Sequence, residues 1–204
     1  MLRTMPRLWT DTIDEHRRSV QAAILSATAK LVAENGLSAV TMSEVAERAG
    51  IGRATLYKYF PDVASILMAW HEQQIGDHLR HLAAVRDHTD GAGAQLAAVV
   101  SAYAHISHHG HGDDLSVRLH QGEHVAAAYR HLRQFLTELI AAAAADGKAR
   151  SDVPAAELAQ FCLHALGAAG QARSKAAVDR VAALALDAVG ARPGLRPHGA
   201  ATHR

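Results

Sequence analysis

An all-α fold of about nine helices is predicted by three observations. Alanine is used heavily while aromatic residues make up only 4% of the chain, a composition that favours closely packed helices over a sheet. Apolar residues recur at three- and four-residue spacing, and no stretch alternates as a strand would. Glycine, proline and capping residues then break the chain at helix-length intervals. With 204 residues and 49% hydrophobic content, the chain can bury a sizeable core as one compact unit or two small domains.

Residues 1–12 read as a loose arm. The first helix is expected over about 14–35, carrying Ile24, Leu25, Ala27, Ala29, Leu31 and Val32 before it stops at Asn35–Gly36. Thr41 and Glu44 stand at capping-box spacing, which starts a second helix at Met42 and carries it to about residue 49. Val45, Ala46 and Ala49 give that helix one apolar face, and Gly50 tolerates the left-handed turn that ends it. Gly52 is a candidate N-cap for a short third helix over 53–59. Pro61 cannot continue a helix interior, whereas Asp62 is a good N-cap. A long fourth helix is therefore expected over about 63–88, carrying Ile66, Leu67, Trp70, Ile75, Leu79, Leu82 and Val85.

Thr89–Gly93 breaks the pattern before a helix near 94–108, and His108–Asp114 reads as a loop from its glycines and charges. A short helix near 115–120 precedes a long one near 122–145, which ends at Asp146–Gly147. Ser151–Asp152 with Pro154 opens a helix over about 154–172, and the last spans about 175–190. Residues 192–204, with two prolines and two glycines, read as a disordered tail.

The stretch 41–60 carries the chemistry. Two short helices joined by a tight glycine-containing turn make a helix-turn-helix, whose second helix can enter a DNA major groove. Arg53, Thr55, Tyr57, Lys58 and Tyr59 are all hydrogen-bond donors, and no acid lies between Arg53 and Phe60. Leu56 and Phe60, four residues apart, can hold the helix to a core and leave the polar residues outward. Arginine forks onto a guanine edge, threonine and tyrosine reach a thymine methyl or a phosphate, and lysine suits phosphate. An ordinary helical hairpin with a polar outer face is the competing reading of the same pattern.

Thr41, Val45, Ala46, Ala49, Gly50, Ile51, Ala54, Leu56, Tyr57, Tyr59 and Phe60, preceded by the apolar residues over 24–32 and Asn35–Gly36–Leu37, resemble the N-terminal pattern of the TetR-like (tetracycline-repressor-like) transcriptional regulators. The resemblance extends over about residues 17–70; beyond them it covers only length and helical texture. It implies a three-helix DNA-binding head within residues 1–60 and a larger ligand-binding and dimerisation body over 61–191. The implied molecule is a homodimeric, ligand-responsive repressor. It would hold a palindromic operator in double-stranded DNA through Thr41, Arg53, Thr55, Tyr57, Lys58 and Tyr59. Its body would sense a small apolar or amphipathic inducer, with Trp70, Gln74, Tyr103, His120, Tyr129 and His164 as candidate pocket residues. In the family, ligand binding shifts the fourth helix and changes the spacing of the two heads. Two positions depart from the pattern. Gly52 stands where serine or threonine is usual, removing a hydroxyl that could bond a phosphate, and Val63 stands where a lysine is usual.

The last two helices are the candidate dimer surface. Leu158, Cys162, Ala165, Leu166 and Ala169 line one stripe, and Val178, Val181, Ala182, Ala185 and Val189 line another. Taken alone, such stripes serve a chain's own core more often than a partner. The resemblance favours the partner, because members of the family are usually homodimers through a four-helix bundle of their last two helices. Two-fold symmetry also matches a palindromic operator.

Composition bounds the alternatives. No run of about 18 apolar residues exists, so no membrane span is expected. The N-terminus lacks a continuous apolar core and a small-residue cleavage site, which makes a poor secretion signal. The single cysteine, Cys162, cannot form an internal disulfide and fits a reducing cytoplasm as a buried structural thiol. Net charge is +1, and residues 1–60 hold eight Lys/Arg against six acids, a weak footprint for nucleic acid. The motif carries the DNA reading, not the charge.

Fifteen histidines are the second unusual feature. His105–His109 and His120–His124 have the i, i+4 spacing of metal ligands, and His71, His78 and His81 fall near one helix face, so a zinc- or nickel-responsive repressor is an alternative. No cysteine accompanies them, glycines interrupt 110–112, and histidine is scattered along the chain; no metal or cofactor is assigned. A small helical enzyme is the other alternative. His71–Glu72 begins like the H-E-x-x-H zinc motif, but Ile75 takes the second histidine's place, and no phosphate loop or nucleophile elbow occurs.

Overall fold

A computed structural model describes the backbone of residues 7–109 and 123–190, with side chains over 14–108 and 125–190. The expected all-α class holds: the described residues form eight α-helices and two 3-10 turns, with one isolated bridge between Ala149 and Gly190. The helices are α1 (Arg7–Asn35), α2 (Met42–Arg48), α3 (Arg53–Tyr59), α4 (Val63–Asp87), α5 (Ala92–His109), α6 (Glu123–Ala145), α7 (Ala155–Gly167) and α8 (Lys175–Val189). The helix expected near 115–120, His120 and the tail 192–204 lie outside the described residues. No helix among them is long and apolar enough to cross a membrane. The chain divides into two compact units at Gln74/Ile75, inside α4, where the sequence placed a boundary at 60/61.

In the first unit, Ile24, Leu25, Ala27 and Leu31 of α1 meet Val45 and Ala46 of α2, Leu56 of α3, Phe60, and Ile66 and Leu67 of α4 in one buried cluster. Ile66 and Leu67 belong to this core, which is why the division falls after the first half of α4 rather than at its start. Thr28 is fully buried, and its hydroxyl donates to the Ile24 carbonyl at 2.9 Å, so no polar group is stranded there. Helix α1 begins at Arg7, earlier than expected, because nothing between Pro6 and Asn35 interrupts it: the segment holds neither glycine nor proline. The turn after α2 is a Schellman motif. Ile51 N–H donates to the Ala46 carbonyl and Gly50 N–H to Glu47, with Gly50 at φ 69°. At the start of α4, Asp62 Oδ1 accepts from the Ser65 N–H at 2.7 Å, the capping role its position predicts.

The second unit packs α5, α6, α7 and α8 around Val99, Val100, Ala104, Leu136, Ile140, Leu166 and Val178, with Leu82 of α4 in the same cluster. Alanines at buried positions 104, 143, 159, 182 and 185 let the helices approach closely. Helix α7 stops at Gly167 and continues as a 3-10 turn over Ala168–Gln171, where a single helix to about 172 was expected. Gly167 and Gly170 weaken the α-helix at that point. Ser174 then caps α8, its hydroxyl accepting from the Ala177 N–H. Arg150 fastens the end of that helix: it pairs with Asp152 at 2.6 Å and donates to the Ala188 carbonyl, while its N–H donates to Val189.

Candidate nucleic-acid interface

The geometry of α3 follows from two anchors. Leu56 is fully buried and Phe60 nearly so, which fixes one side of the helix against the first unit's core. The residues left exposed are Arg53, Ala54, Tyr57 and Lys58, the i, i+1, i+4, i+5 set of one helical face. Tyr57 is 55% exposed. Tyr59 is half-buried and packs against the core, and Thr55 is half-buried as well. Of the six candidate DNA contacts, the structure therefore brings Arg53, Tyr57 and Lys58 onto one outward face and turns Thr55 and Tyr59 partly away. Ala54 shares the outward face and was not among the candidates; its position two residues before Leu56 was the available signal.

Thr41 fills the capping role that its spacing to Glu44 predicts, which bears on its candidacy as a DNA contact. Its hydroxyl accepts from the Glu44 N–H at 3.3 Å and donates to Glu44 Oε2 at 2.6 Å, while its own N–H donates to the same carboxylate at 3.1 Å. The capping box is complete, so the hydroxyl proton that a phosphate would need is already given to Glu44. Gly52 is the N-cap of α3 and supplies no side-chain bond to it. Arg48 is also engaged, forming a two-bond pair with Glu34. The cationic groups presented by α3 are Arg53 at its first position and Lys58 in its last turn.

The candidate ligand residues fall into separate groups. Trp70 packs against the first unit's core, and its Nε1 is buried without a hydrogen-bond partner among the described residues; Gln74 is half-buried at the end of that unit. Tyr103 and Tyr129 both pack against the second unit's core. Burial raises the Tyr103 phenol above its ordinary range, opposed by its hydrogen bond with Ser107. Gln160 Nε2 donates to the Tyr129 hydroxyl at 2.9 Å, and exposed His164 bonds the Gln160 carbonyl. Gln160, which joins these groups, was not a candidate.

The predicted dimer stripes turn inward. Leu158, Cys162, Leu166, Ala169, Val178, Ala182, Ala185 and Val189 are buried in this chain's own core, and Ala165 and Val181 are half-buried. Burial pushes the Cys162 thiol up to about 11. The outer faces of the same helices instead carry Phe161, 50% exposed, and Leu184, 68% exposed. A large aromatic lying off the core stripe of α7 was the signal for that face. Of the histidines, His105 Nε2 lies 2.9 Å from Asp179 Oδ1. No group of three or more potential metal ligands gathers among the described residues, and the side chains of His109, His120 and His124 lie outside them.

Residues 24–69 match the bacterial regulatory proteins of the tetR family. An uncharacterized HTH-type transcriptional regulator of Mycobacterium tuberculosis is 30% identical over 112 residues, 55% of this chain and 56% of that protein. The matched stretch thus spans just over half the length of that relative. Among solved structures, a TetR transcription regulator from Haloarcula marismortui superposes with a TM-score of 0.67 at 19% identity, covering 85% of this chain and 99% of that one. The regulator FadR from Bacillus subtilis, solved in complex with stearoyl-CoA, gives a TM-score of 0.62 at 16% identity, covering 82% and 98%. These likenesses show the same fold. The capping box, the Schellman turn at Gly50 and the anchored helix α3 all lie in the segment, residues 24–69, that matches the tetR family's N-terminal domain.

Proposed function

We propose that this chain is a DNA-binding transcriptional regulator rather than an enzyme, acting in the cytoplasm as a homodimeric repressor on a palindromic operator. One observation carries the reading: α3 presents Arg53, Tyr57 and Lys58 on a single exposed face without an acid, backed by the buried anchors Leu56 and Phe60. Arginine at the first turn of such a helix suits a guanine edge, and lysine in the last turn suits phosphate. The proposed partner surface is the outer face of α7 and α8 around Phe161 and Leu184, since the inner stripes are occupied by the chain's own core. Two exposed large apolar side chains on adjacent helices support an interface there.

The second unit is proposed to sense a small apolar or amphipathic molecule. The stearoyl-CoA held by the Bacillus subtilis regulator supports that class, and Tyr103, Tyr129 and Gln160 supply neutral hydrogen-bonding groups beside apolar core. An inducer must favour the conformation that does not bind operator, and it shifts the balance only by that difference in affinity. Selection of bound duplexes from a random library tests the core of the reading. A palindromic site should emerge at low salt; enrichment of no site contradicts the regulator reading.

A further inference from the structure

We propose that Ala54 reads a base, taking the C5-methyl group of a thymine adjacent to the base read by Arg53. The inference rests on the DNA-binding reading above and adds to it one contact that determines specificity. Ala54 is exposed in the first turn of α3, on the same face as Arg53, Tyr57 and Lys58, and offers only a methyl group. Gly50 and Gly52 are both exposed and carry no side chain, and a Cβ added at either would meet nothing within 4 Å. The two glycines just before the helix thus add no side chain that could hold the exposed Ala54 methyl off a base edge.

The N-terminal residues of a recognition helix are those that approach base edges in the major groove. Thymine alone presents a methyl group there, and alanine is a suitable apolar partner for it. Burying one methyl group against another is worth about 0.8 kcal/mol, or about fourfold in affinity per half-site. A bland explanation exists, because exposed alanine also favours helix formation. That explanation makes no demand on the DNA, which is what separates the two.

The experiment uses the full chain and a duplex recovered by random-library selection. Each thymine of a half-site is replaced in turn by deoxyuridine, which removes the methyl group and leaves the protein untouched. We expect one position per half-site to lose about fourfold in affinity, and about sixteenfold when both half-sites are changed together. Ala54→Gly and Ala54→Ser should bind the thymine and uracil duplexes alike, while Arg53→Ala keeps the discrimination. Uracil tolerated at every position overturns the proposal. So does undiminished discrimination in both Ala54 variants, which would move the methyl contact to Tyr57. Recovery of no duplex at all contradicts the regulator reading and this contact with it; a recovered duplex indifferent to uracil overturns this contact alone.

Discussion

Glu34 and Arg48 meet through two parallel bonds of 2.8 Å, Oε1 to Nη1 and Oε2 to Nη2, joining the last turn of α1 to the last turn of α2. The hydrogen bond from the guanidinium holds the Glu34 carboxyl below its ordinary range. A depressed carboxylate stabilises the fold above its unfolded-state value, and that contribution is lost as pH falls through the folded value. Glu34→Gln should therefore lower thermal stability slightly at neutral pH, the pair being exposed. The difference from wild type should disappear in acid. Melting curves across a pH series check this, and a difference unchanged in acid would assign the effect to something other than the ion pair.

Local chemistry made the head legible. Thr41–Glu44, Gly50 and Asp62 act through neighbours three to five residues away, so each could be read directly from spacing and each is present in the structure. What spacing could not decide was which side of a helix faces the chain's own core. The stripe from Leu158 to Ala169 and that from Val178 to Val189 are equally consistent with an inner or an outer face, because alanine and valine suit both. Their burial depends on α5 and α6, which lie elsewhere in the sequence. The role of Gln160 was hidden for a related reason: residue type announces hydrogen-bonding capacity, not the partner that takes it up.

Leu56 and Tyr57 are adjacent but should behave oppositely. Leu56→Ala opens a cavity in the first unit's core and should cost about 2–5 kcal/mol, measured by chemical denaturation. Tyr57→Ala, on the exposed face, should change stability by less than about 0.5 kcal/mol while weakening DNA binding. Equal destabilisation by the two would mean that α3 is not anchored as described.

Gly93 approaches the loop after α6 so closely that an added Cβ would lie 2.9 Å from Lys148 Cβ. Lys148 is fixed by its N–H bond to Ala143 at 2.7 Å, so the backbone cannot easily yield. Gly93→Ala should destabilise by about 1–3 kcal/mol despite alanine's better helix propensity. Adding Lys148→Gly should recover part of the loss. Additive destabilisation in the double variant would show that the two sites are uncoupled.

The outer face of α7 and α8 predicts assembly. Leu184→Glu and Phe161→Glu should yield folded monomers that no longer hold a full operator, since one half-site has too few contacts. Val178→Asp should instead unfold the second unit, because that side chain is fully buried in the chain's own core. Sedimentation velocity alongside circular dichroism separates these outcomes; an intact dimer for both outer-face variants would place the interface elsewhere.

The central claim is that α3 reads duplex DNA with a division of labour between Arg53 and Lys58, and the most direct measurement is operator affinity of each alanine variant across a salt series and a panel of single-base changes. Lys58→Ala should weaken all sequences alike, by about 1–3 kcal/mol, and lower the salt slope by about one unit per lost phosphate contact. Arg53→Ala should cost a similar amount on the selected operator but flatten base preference at one position per half-site. Wild-type affinity, salt slope and base preference retained in both variants would contradict the assignment of α3 as the DNA-reading helix.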